Sequence, residues 1–192
     1  MSKVNENLVQ VVACELDEVV CKDESFDSPG SFCFFYDTLF TKLYLPLPLF
    51  IFEKEVLNEL NVCPAKLLPN SWAFIRAFVI LCSHFRISPT LNTFFYFFEF
   101  KSYKKQPWHS LNSCGGRGLI SLFQSSYKNF KGRFVKVQPT PKSLTLLDRF
   151  SLYWSRKPCF QSAHQLKQLD PSERGVCEFL ENIQIIFDTR TY

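Results

Sequence analysis

Residues 69–100, PNSWAFIRAFVILCSHFRISPTLNTFFYFFEF, decide the predicted fold of this chain. Apolar residues recur there at helical spacing, first at Trp72, Ile75, Phe78, Val79 and Cys82, and then at Leu91, Phe94, Phe95 and Phe98. This spacing predicts two amphipathic helices, one ending near His84 and one over residues 90–98. Asn70 or Ser71 is the expected N-cap of the first, and Pro89 the expected first-turn residue of the second. The aromatic faces predict a core built largely from phenylalanine.

Two more helices are predicted upstream. An apolar face with helical spacing starts near Phe35 and ends where Pro46 breaks the pattern. A second helix is predicted over residues 48–60, with apolar residues on one face and the acidic and basic residues of 53–59 opposite. Residues 1–30 are predicted to form a mostly flexible acidic tail, with a short helix or strand near residues 8–12.

The pattern becomes strand-like after Lys101. The sequence pattern predicts two strands, at residues 108–112 and 119–123. The glycine-rich link 113–118 is predicted to join them into a hairpin. Residues 133–137 alternate Phe134 and Lys136 with Val135 and Val137, which predicts a third strand.

Two helices are predicted beyond this strand. A short one is expected at residues 144–150, and a final one runs from Pro171 to about Ile183, with Asp170 as N-cap and Glu173 at the capping-box position. The predicted fold class is therefore α+β: an N-terminal part of about four helices, a small antiparallel sheet with a glycine-rich hairpin, and a C-terminal helix.

Charge divides the 192 residues into four regions. Residues 1–30 hold two Lys and seven acidic residues (net −5), and residues 31–100 are neutral. Residues 101–157 hold twelve Lys or Arg and one acidic residue (net +11), and residues 158–192 carry net −2. We therefore predict an acidic tail over 1–30, a domain over 31–157 and a C-terminal helical extension over 158–192. Within the domain, residues 34–100 are predicted helical and 101–140 strand-rich and basic.

Several classes of protein are excluded by pattern. The longest apolar stretch, residues 43–52, contains two prolines and is half the length of a membrane span. The N-terminus has no apolar signal region, so we expect an intracellular protein, nuclear or cytoplasmic, that is not secreted and not in a membrane. The eight cysteines contain no Cys-x-x-Cys pair, which predicts reduced thiols rather than a zinc knuckle or ribbon.

The patterns of catalytic chemistry are also missing. Gly115-Gly116-Arg117-Gly118 is not followed by the Lys-Ser/Thr of a phosphate loop, so it predicts a turn. The three histidines are far apart in sequence, although a triad or zinc site could assemble in space. The basic region holds only Asp148 as an acid, whereas metal-dependent strand cleavage needs converging carboxylates. We expect no enzyme, no metal, no cofactor and no small-molecule substrate.

Residues 125–136 interleave aromatic and basic side chains. Lys and Arg neutralise phosphates, and exposed aromatic rings stack on bases. The predicted nucleic-acid contacts are the phosphate-binding Lys128, Lys131, Arg133 and Lys136, with Tyr127 and Phe130 stacking on bases if they are exposed. The alternative is a strand with one apolar face in the core and one basic face in water.

A family resemblance covers about residues 34–157. It is carried by Leu45-Pro46-Leu47-Pro48, Cys63-Pro64-Ala65, Pro69-Asn70-Ser71-Trp72, Lys128-Asn129-Phe130-Lys131-Gly132-Arg133-Phe134-Val135 and Phe150-Ser151-Leu152-Tyr153-Trp154. These elements resemble the plant domain family called "putative gypsy type transposon". The chain departs from the family pattern at Lys66, Phe130, Val135 and Ser151, where Gln, Trp, Phe and Pro are expected. The resemblance implies origin in a plant mobile element and assigns no catalytic residues.

The leading hypothesis is a non-enzymatic domain derived from a plant transposable element that associates with DNA or RNA. Two alternatives stay open. The first is a protein–protein or self-association module, because the aromatic residues of 94–100 cover more than one helix face and some of them are expected to be exposed. The second is a catalytically dead transposase remnant. A decaying copy without a selected role is a further possibility.

Overall fold

The computed structural model describes residues 8–15, 32–103, 108–120, 130, 132–140, 157–159 and 162–184. Its helices and strands, in chain order, are β1 Val9–Ala13, β2 Cys33–Tyr36, α1 Asp37–Thr41, α2 Ile51–Leu60, α3 Pro69–His84, α4 Leu91–Phe97, β3 Phe98–Ser102, β4 His109–Ser113, β5 Phe134–Pro139 and α5 Pro171–Gln184. Short 3-10 turns lie at Pro64–Lys66 and Leu166–Gln168. The fold class α+β is confirmed.

A three-stranded antiparallel sheet has the order β1-β5-β2, so strands distant in sequence become neighbours. Val12 and Phe34 both lie opposite Lys136, one on each side of the central strand. Gly132 precedes β5 with φ of 86°, a left-handed conformation that glycine adopts at little cost. The segment near residue 8 that was predicted as a helix or strand is therefore a strand, and it belongs to the main sheet.

The second sheet is the antiparallel pair β3-β4. β3 follows α4 without a loop, and Phe98 lies opposite Ser113. The predicted glycine-rich hairpin is not confirmed: among the described residues, β4 pairs with the preceding strand β3. Residues 114–117 form a turn closed by Arg117 N–H donating to the Cys114 carbonyl at 3.0 Å, and residues 119–120 are not in a strand. Residues 121–123 lie outside the described part.

Helices α1 to α4 lie in the region predicted to be helical, but β2 precedes them and β3 follows α4 directly, so the predicted order of elements is not confirmed. The expectation of one helical block followed by one sheet is corrected because β1 and β2 pair with β5 across the sequence. Helix α1 starts only at Asp37, since residues 33–36 extend as a strand instead of joining the predicted helix. The predicted helix over 144–150 lies outside the described residues.

The start of α3 differs from the prediction. Pro69 occupies the first helical turn and Leu68 is the N-cap, so neither Asn70 nor Ser71 caps this helix. The Ser71 hydroxyl instead accepts the N–H of Leu111 at 2.8 Å, which ties the helix to β4. The Trp72 indole N–H donates to the Pro64 carbonyl at 3.1 Å. These residues thus join α3 to its neighbours.

Thr90, not Pro89, sets the start of α4. Its hydroxyl accepts the Thr93 N–H at 3.2 Å, which is the usual N-cap hydrogen bond. At the start of α5, Asp170 accepts the Glu173 N–H at 2.9 Å, so the predicted N-cap is confirmed.

The core is dominated by aromatic rings. Phe52, Phe78 and Phe94 form a mutually contacting trio with centroids 5.2–5.6 Å apart, and Phe74 lies 5.1 Å from Phe98. The expectation that some of the aromatic residues of 94–100 are exposed is wrong, because each of them is at most 6% exposed. α4 ends at Phe97, and Phe98 and Phe100 belong to β3. The aromatic side chains of the helix and of the strand point in different directions, and different elements of the fold bury them.

Helix α5 packs on α4. Glu173 accepts hydrogen bonds from the Thr90 hydroxyl at 2.9 Å and the Asn92 amide at 3.1 Å, and Tyr96 donates to Glu181 at 2.6 Å. The apolar side of α5, which includes Leu180, is buried. Among the helices of the described ranges, none is both long and apolar enough to cross a membrane.

Candidate nucleic-acid interface

Strand β5 carries the described part of the predicted basic segment. Val135 and Val137 point to the inner face of the sheet, where Val137 is fully buried beside Cys33 of β2. Phe134 and Lys136 point to the outer face, because successive strand residues alternate. Both are half-buried. Phe34 and Tyr36 of β2 share this face with Lys136 and Phe134, and they are 5% and 0% exposed. The outer face is therefore partly covered, unlike the predicted alternative of a basic face in water.

Lys136 lies in the middle of the outer face. Its ammonium is 5.6 Å from the centroid of the Phe32 ring, at a cation–π distance. Phe32 packs edge-to-face on Phe34, which is the cross-strand neighbour of Lys136. The aromatic rings support the long stem of Lys136 and keep its charge at the surface.

Arg133 precedes β5 and has a side chain 71% exposed. Its guanidinium forms an ion pair with Asp37 at 2.8 Å, and its carbonyl accepts the Asp37 N–H at 3.0 Å. Asp37 thus offsets part of the positive charge that the sequence predicts here. An exposed pair of this kind contributes at most about 1 kcal/mol, so a phosphate can compete for Arg133.

Phe130 was predicted to stack on bases only if its ring is exposed, and the ring is not exposed. It is 8% exposed, and its ring packs edge-to-face on the Tyr36 ring with centroids 5.2 Å apart. A base has no access to a ring covered in this way, so Phe130 belongs to the core. Phe134 is a further aromatic residue on the same face as Lys136, and its centroid lies 4.7 Å from that of Tyr36. The alternation of side chains along the predicted strand was the signal that Phe134 lies on the same face as Lys136.

Arg133, Phe134 and Lys136 are close in sequence, with Arg133 one residue before β5 and the other two on one face of it. Tyr127, Lys128 and Lys131 lie outside the described residues, so they stay predictions from the sequence.

Two other cations of the basic region already have partners within the described part of the chain. Lys101 pairs with Glu99 at 2.6 Å. The Arg117 guanidinium donates to the His164 carbonyl at 2.7 Å and to the Gln165 side chain at 3.2 Å, and it lies 4.4 Å from the Tyr96 ring centroid. The net +11 of residues 101–157 therefore overstates the charge offered to a ligand.

Buried ionisable groups lie away from β5. Glu53, fully buried on α2, pairs with Arg76 of α3 at 2.8 Å and accepts the Phe50 N–H at 2.8 Å. Burial raises the pKa of Glu53, and the charge and hydrogen bond of Arg76 oppose that rise. This pair joins α2 to α3.

The histidines do not converge. His84 ends α3, whereas the His109 carbonyl accepts the N–H of Leu68 at the other end of this helix. Sixteen residues of helix separate these ends by about 24 Å. The His164 ring lies 6.1 Å from the Phe95 ring. Within the described ranges, no three His, Cys, Asp or Glu side chains are placed to hold a metal ion.

Seven cysteines fall in the described part and all are free thiols. Five of them are buried: Cys33, Cys63, Cys82, Cys114 and Cys177. Burial raises the pKa of Cys82 to about 11, which is the behaviour of a thiol packed as a small apolar residue.

Comparison with known proteins supports the resemblance seen in the sequence. Residues 33–102 match the family model described as "Putative gypsy type transposon". This range runs from β2 to the end of β3, so it contains α1 to α4 but not β5. No curated protein and no solved structure matches the chain.

Proposed function

We propose that this chain, whose residues 33–102 match the family model of a gypsy-type transposon domain, is a non-catalytic nucleic-acid-associating protein. Its binding surface is the outer face of β5. Origin in a plant element and residence in the nucleus or cytoplasm belong to the same proposal.

One observation supports the proposal: the partly exposed Phe134 and Lys136 lie on one face of β5, and the exposed Arg133 directly precedes this strand. This combination supplies two phosphate-binding cations and one ring that can stack on a base. Sheet faces that combine stacking rings with cations recognise single strands in several RNA- and DNA-binding folds. Tyr127, Lys128 and Lys131, adjacent in sequence, extend the same proposal.

The first experiment titrates the protein against labelled single- and double-stranded DNA and RNA at several salt concentrations. The test variant is the pair Arg133→Gln and Lys136→Gln. We expect its salt dependence of log K to fall by about 0.7 per lost contact on single strands and about 0.9 on duplex DNA. The matched control, Arg86→Gln with Lys167→Gln, removes the same charge from two exposed positions on other elements. If both double variants lost affinity and salt dependence equally, net charge alone would explain the attraction, and a site on β5 would be contradicted.

Asp37→Asn provides a gain-of-binding test. The amide still donates and accepts hydrogen bonds, but it no longer neutralises Arg133, so one more phosphate contact becomes available. We expect tighter binding and a salt slope steeper by about 0.7–0.9. An unchanged affinity in Asp37→Asn would remove Arg133 from the binding surface.

Phe134→Leu separates stacking from charge. Loss of one stacked base costs about 1–3 kcal/mol on single strands, while duplex binding should change little. If Phe134→Leu weakened binding to single strands and to duplex equally, the ring would have a structural role instead of stacking on a base.

A further inference from the structure

The aromatic ring at the entry of α2 is exposed to solvent and yet held in place. The Phe50 N–H donates to the Glu53 carboxylate at 2.8 Å, and the other oxygen of this carboxylate pairs with Arg76 of α3. The Arg76 guanidinium lies 5.4 Å from the centroid of the Phe50 ring, which is 50% exposed. Because these contacts already fix the ring, a partner that covers it orders little additional structure.

Two isoleucines extend the apolar surface around this ring. Ile51 follows Phe50 in the chain and is 67% exposed, and Ile80 lies four residues after Arg76 and is 60% exposed. Residues four apart on a helix are neighbours on one face, so Ile80 and Phe50 both border Arg76. Single exposed apolar residues are common, whereas adjacent ones mark interaction sites. Phe50, Ile51 and Ile80 are named the α2–α3 patch below.

The shape of this region suits a helix better than a strand. α2 and α3 pack on each other, with the Phe52 and Phe78 rings 5.6 Å apart. The backbone N–H and C=O groups inside a helix bond to each other, so the patch has no open edge that a strand could extend. Two packed helices leave a groove between their rows of side chains, and a third helix packs its own row into such a groove.

Area distinguishes a partner helix from a second copy of the chain. The three exposed side chains offer less than half of the about 800 Å² that each partner buries in a stable dimer. Two copies joined patch to patch would therefore associate only weakly. A single amphipathic helix docks through three or four anchor side chains, which a patch of this size can cover.

Charge favours an apolar occupant. Among the described residues of α2 and α3 next to the patch, Lys54 and Glu55 carry opposite charges, and Arg76 is paired with Glu53. These charges cancel, so they select neither a polyanion nor a strongly acidic or basic segment. The occupant that fits is a helix with an apolar docking face and a net charge near zero.

We propose that the α2–α3 patch binds an amphipathic helix of a partner protein, with apolar residues at positions i, i+3 or i+4, and i+7 and a net charge near zero. The apolar face of this helix covers Phe50, Ile51 and Ile80. The patch lies within residues 33–102, and its binding is independent of nucleic-acid binding by β5, because it uses other elements and apolar contacts.

The test titrates the full chain into a labelled, capped peptide, Glu-Glu-Leu-Lys-Lys-Leu-Leu-Gln-Glu-Leu-Lys-Glu-Leu-Leu-Lys, and follows its fluorescence anisotropy. The leucines of this peptide recur at i, i+3, i+4 and i+7, and its charges cancel. We expect saturable binding that changes by no more than about twofold between about 0.05 and 0.5 M salt. A control peptide of the same composition, with its leucines spread around the helix, should bind about tenfold more weakly or worse. No saturable binding of the first peptide, or equal binding of both, would overturn the proposal.

Variants locate the binding site. Ile51→Gln with Ile80→Gln removes two exposed apolar side chains and should weaken peptide binding by about tenfold or more. The matched control, Val11→Gln with Phe179→Gln, makes the same change on β1 and α5 and should alter binding by less than about twofold. Circular dichroism of each variant checks that the fold is kept. Equal weakening in both double variants would contradict a site on the α2–α3 patch.

Two further measurements separate this proposal from its alternatives. Analytical ultracentrifugation without peptide should show no dimer that depends on the patch. If a dimer forms and is lost in Ile51→Gln with Ile80→Gln, the occupant is a second copy and the proposal is wrong. Arg133→Gln with Lys136→Gln should bind the peptide as the unchanged chain does. If that variant loses peptide binding, the peptide binds at β5 and the patch is not its site.

Discussion

The His109 imidazole is 4% exposed, and neither of its ring nitrogens has a hydrogen-bond partner among the described residues. Burial, and to a smaller extent the nearby Lys66 charge, lower the pKa of His109 to about 4. Its ring lies 5.1 Å from the Phe100 ring. At this position the histidine therefore packs as an uncharged aromatic ring.

This burial predicts a specific loss of stability in acid. The unfolded chain protonates His109 near pH 6.5, whereas the folded chain resists protonation until about pH 4. The stabilising contribution is thus complete above pH 6.5 and is lost as pH falls from 6.5 to about 4, by up to about 3 kcal/mol. In His109→Phe, the loss between pH 7.5 and 4.5 should be smaller by about 1–3 kcal/mol, measured by urea unfolding.

His84→Phe makes the same replacement at the exposed end of α3 and controls for added apolar area. A pH dependence reduced equally in both variants would contradict the assignment to His109.

Local pattern predicted a strand at the residue scale but not which side chains are exposed. The alternation of residues 133–137 predicted a strand, and β5 is present there with Lys136 half-buried. Phe130 was identified by the same interleaved pattern, yet Tyr36, almost a hundred residues earlier, covers it. Asp37 is equally distant in sequence from Arg133 and pairs with it. No local pattern could reveal these long-range contacts.

At the scale of elements, the glycine-rich turn after β4 holds a bridging side chain. Arg117 joins the turn to α4 through the Tyr96 ring and to the segment before α5 through His164 and Gln165. Gly116 has φ of 77°, which lets the chain reverse and direct Arg117 back toward the fold. The turn therefore serves packing between elements.

Arg117→Lys tests this bridge. Lysine keeps the charge but lacks the planar group that contacts two acceptors and the ring together. We expect a loss of about 1–3 kcal/mol in the free energy of unfolding, measured by urea titration. Arg86→Lys, at an exposed position after α3, should change it by no more than about 0.5 kcal/mol. If Arg117→Lys and Arg86→Lys changed the free energy of unfolding by the same small amount, Arg117 would contribute no more than a surface charge.

At the scale of the whole molecule, the C-terminal residues complete the fold of the matched region. The Cys159 N–H donates to the Leu60 carbonyl at 2.9 Å, and the His164 N–H donates to the Phe95 carbonyl at 2.9 Å. α5 then packs on α4 through the contacts of Glu173 and Glu181. We infer that the described residues of the predicted extension, 158–159 and 162–184, are part of one cooperative unit with residues 33–102.

Leu180→Ala tests this cooperativity. Leu180 is fully buried, so its truncation should cost about 2–5 kcal/mol. Unfolding followed by tryptophan fluorescence, with Trp72 buried in α3, should shift by the full amount if α5 is part of the unit. Glu178→Ala, exposed on the same helix, is the control and should have little effect. A fluorescence transition unchanged by Leu180→Ala would show that α5 unfolds independently.

The sequence by itself determined the elements with strong local signals: the amphipathic spacing of α2, α3, α4 and α5, the alternation of β5, and the family resemblance now supported over residues 33–102. These follow from the periods of helix and strand and from short motifs. Only the tertiary structure decided that β1 and β2 flank β5, that β4 pairs with β3, and that the aromatic run is wholly buried. The physical reason is that strand pairing and burial depend on partners distant in the chain, which local spacing does not encode.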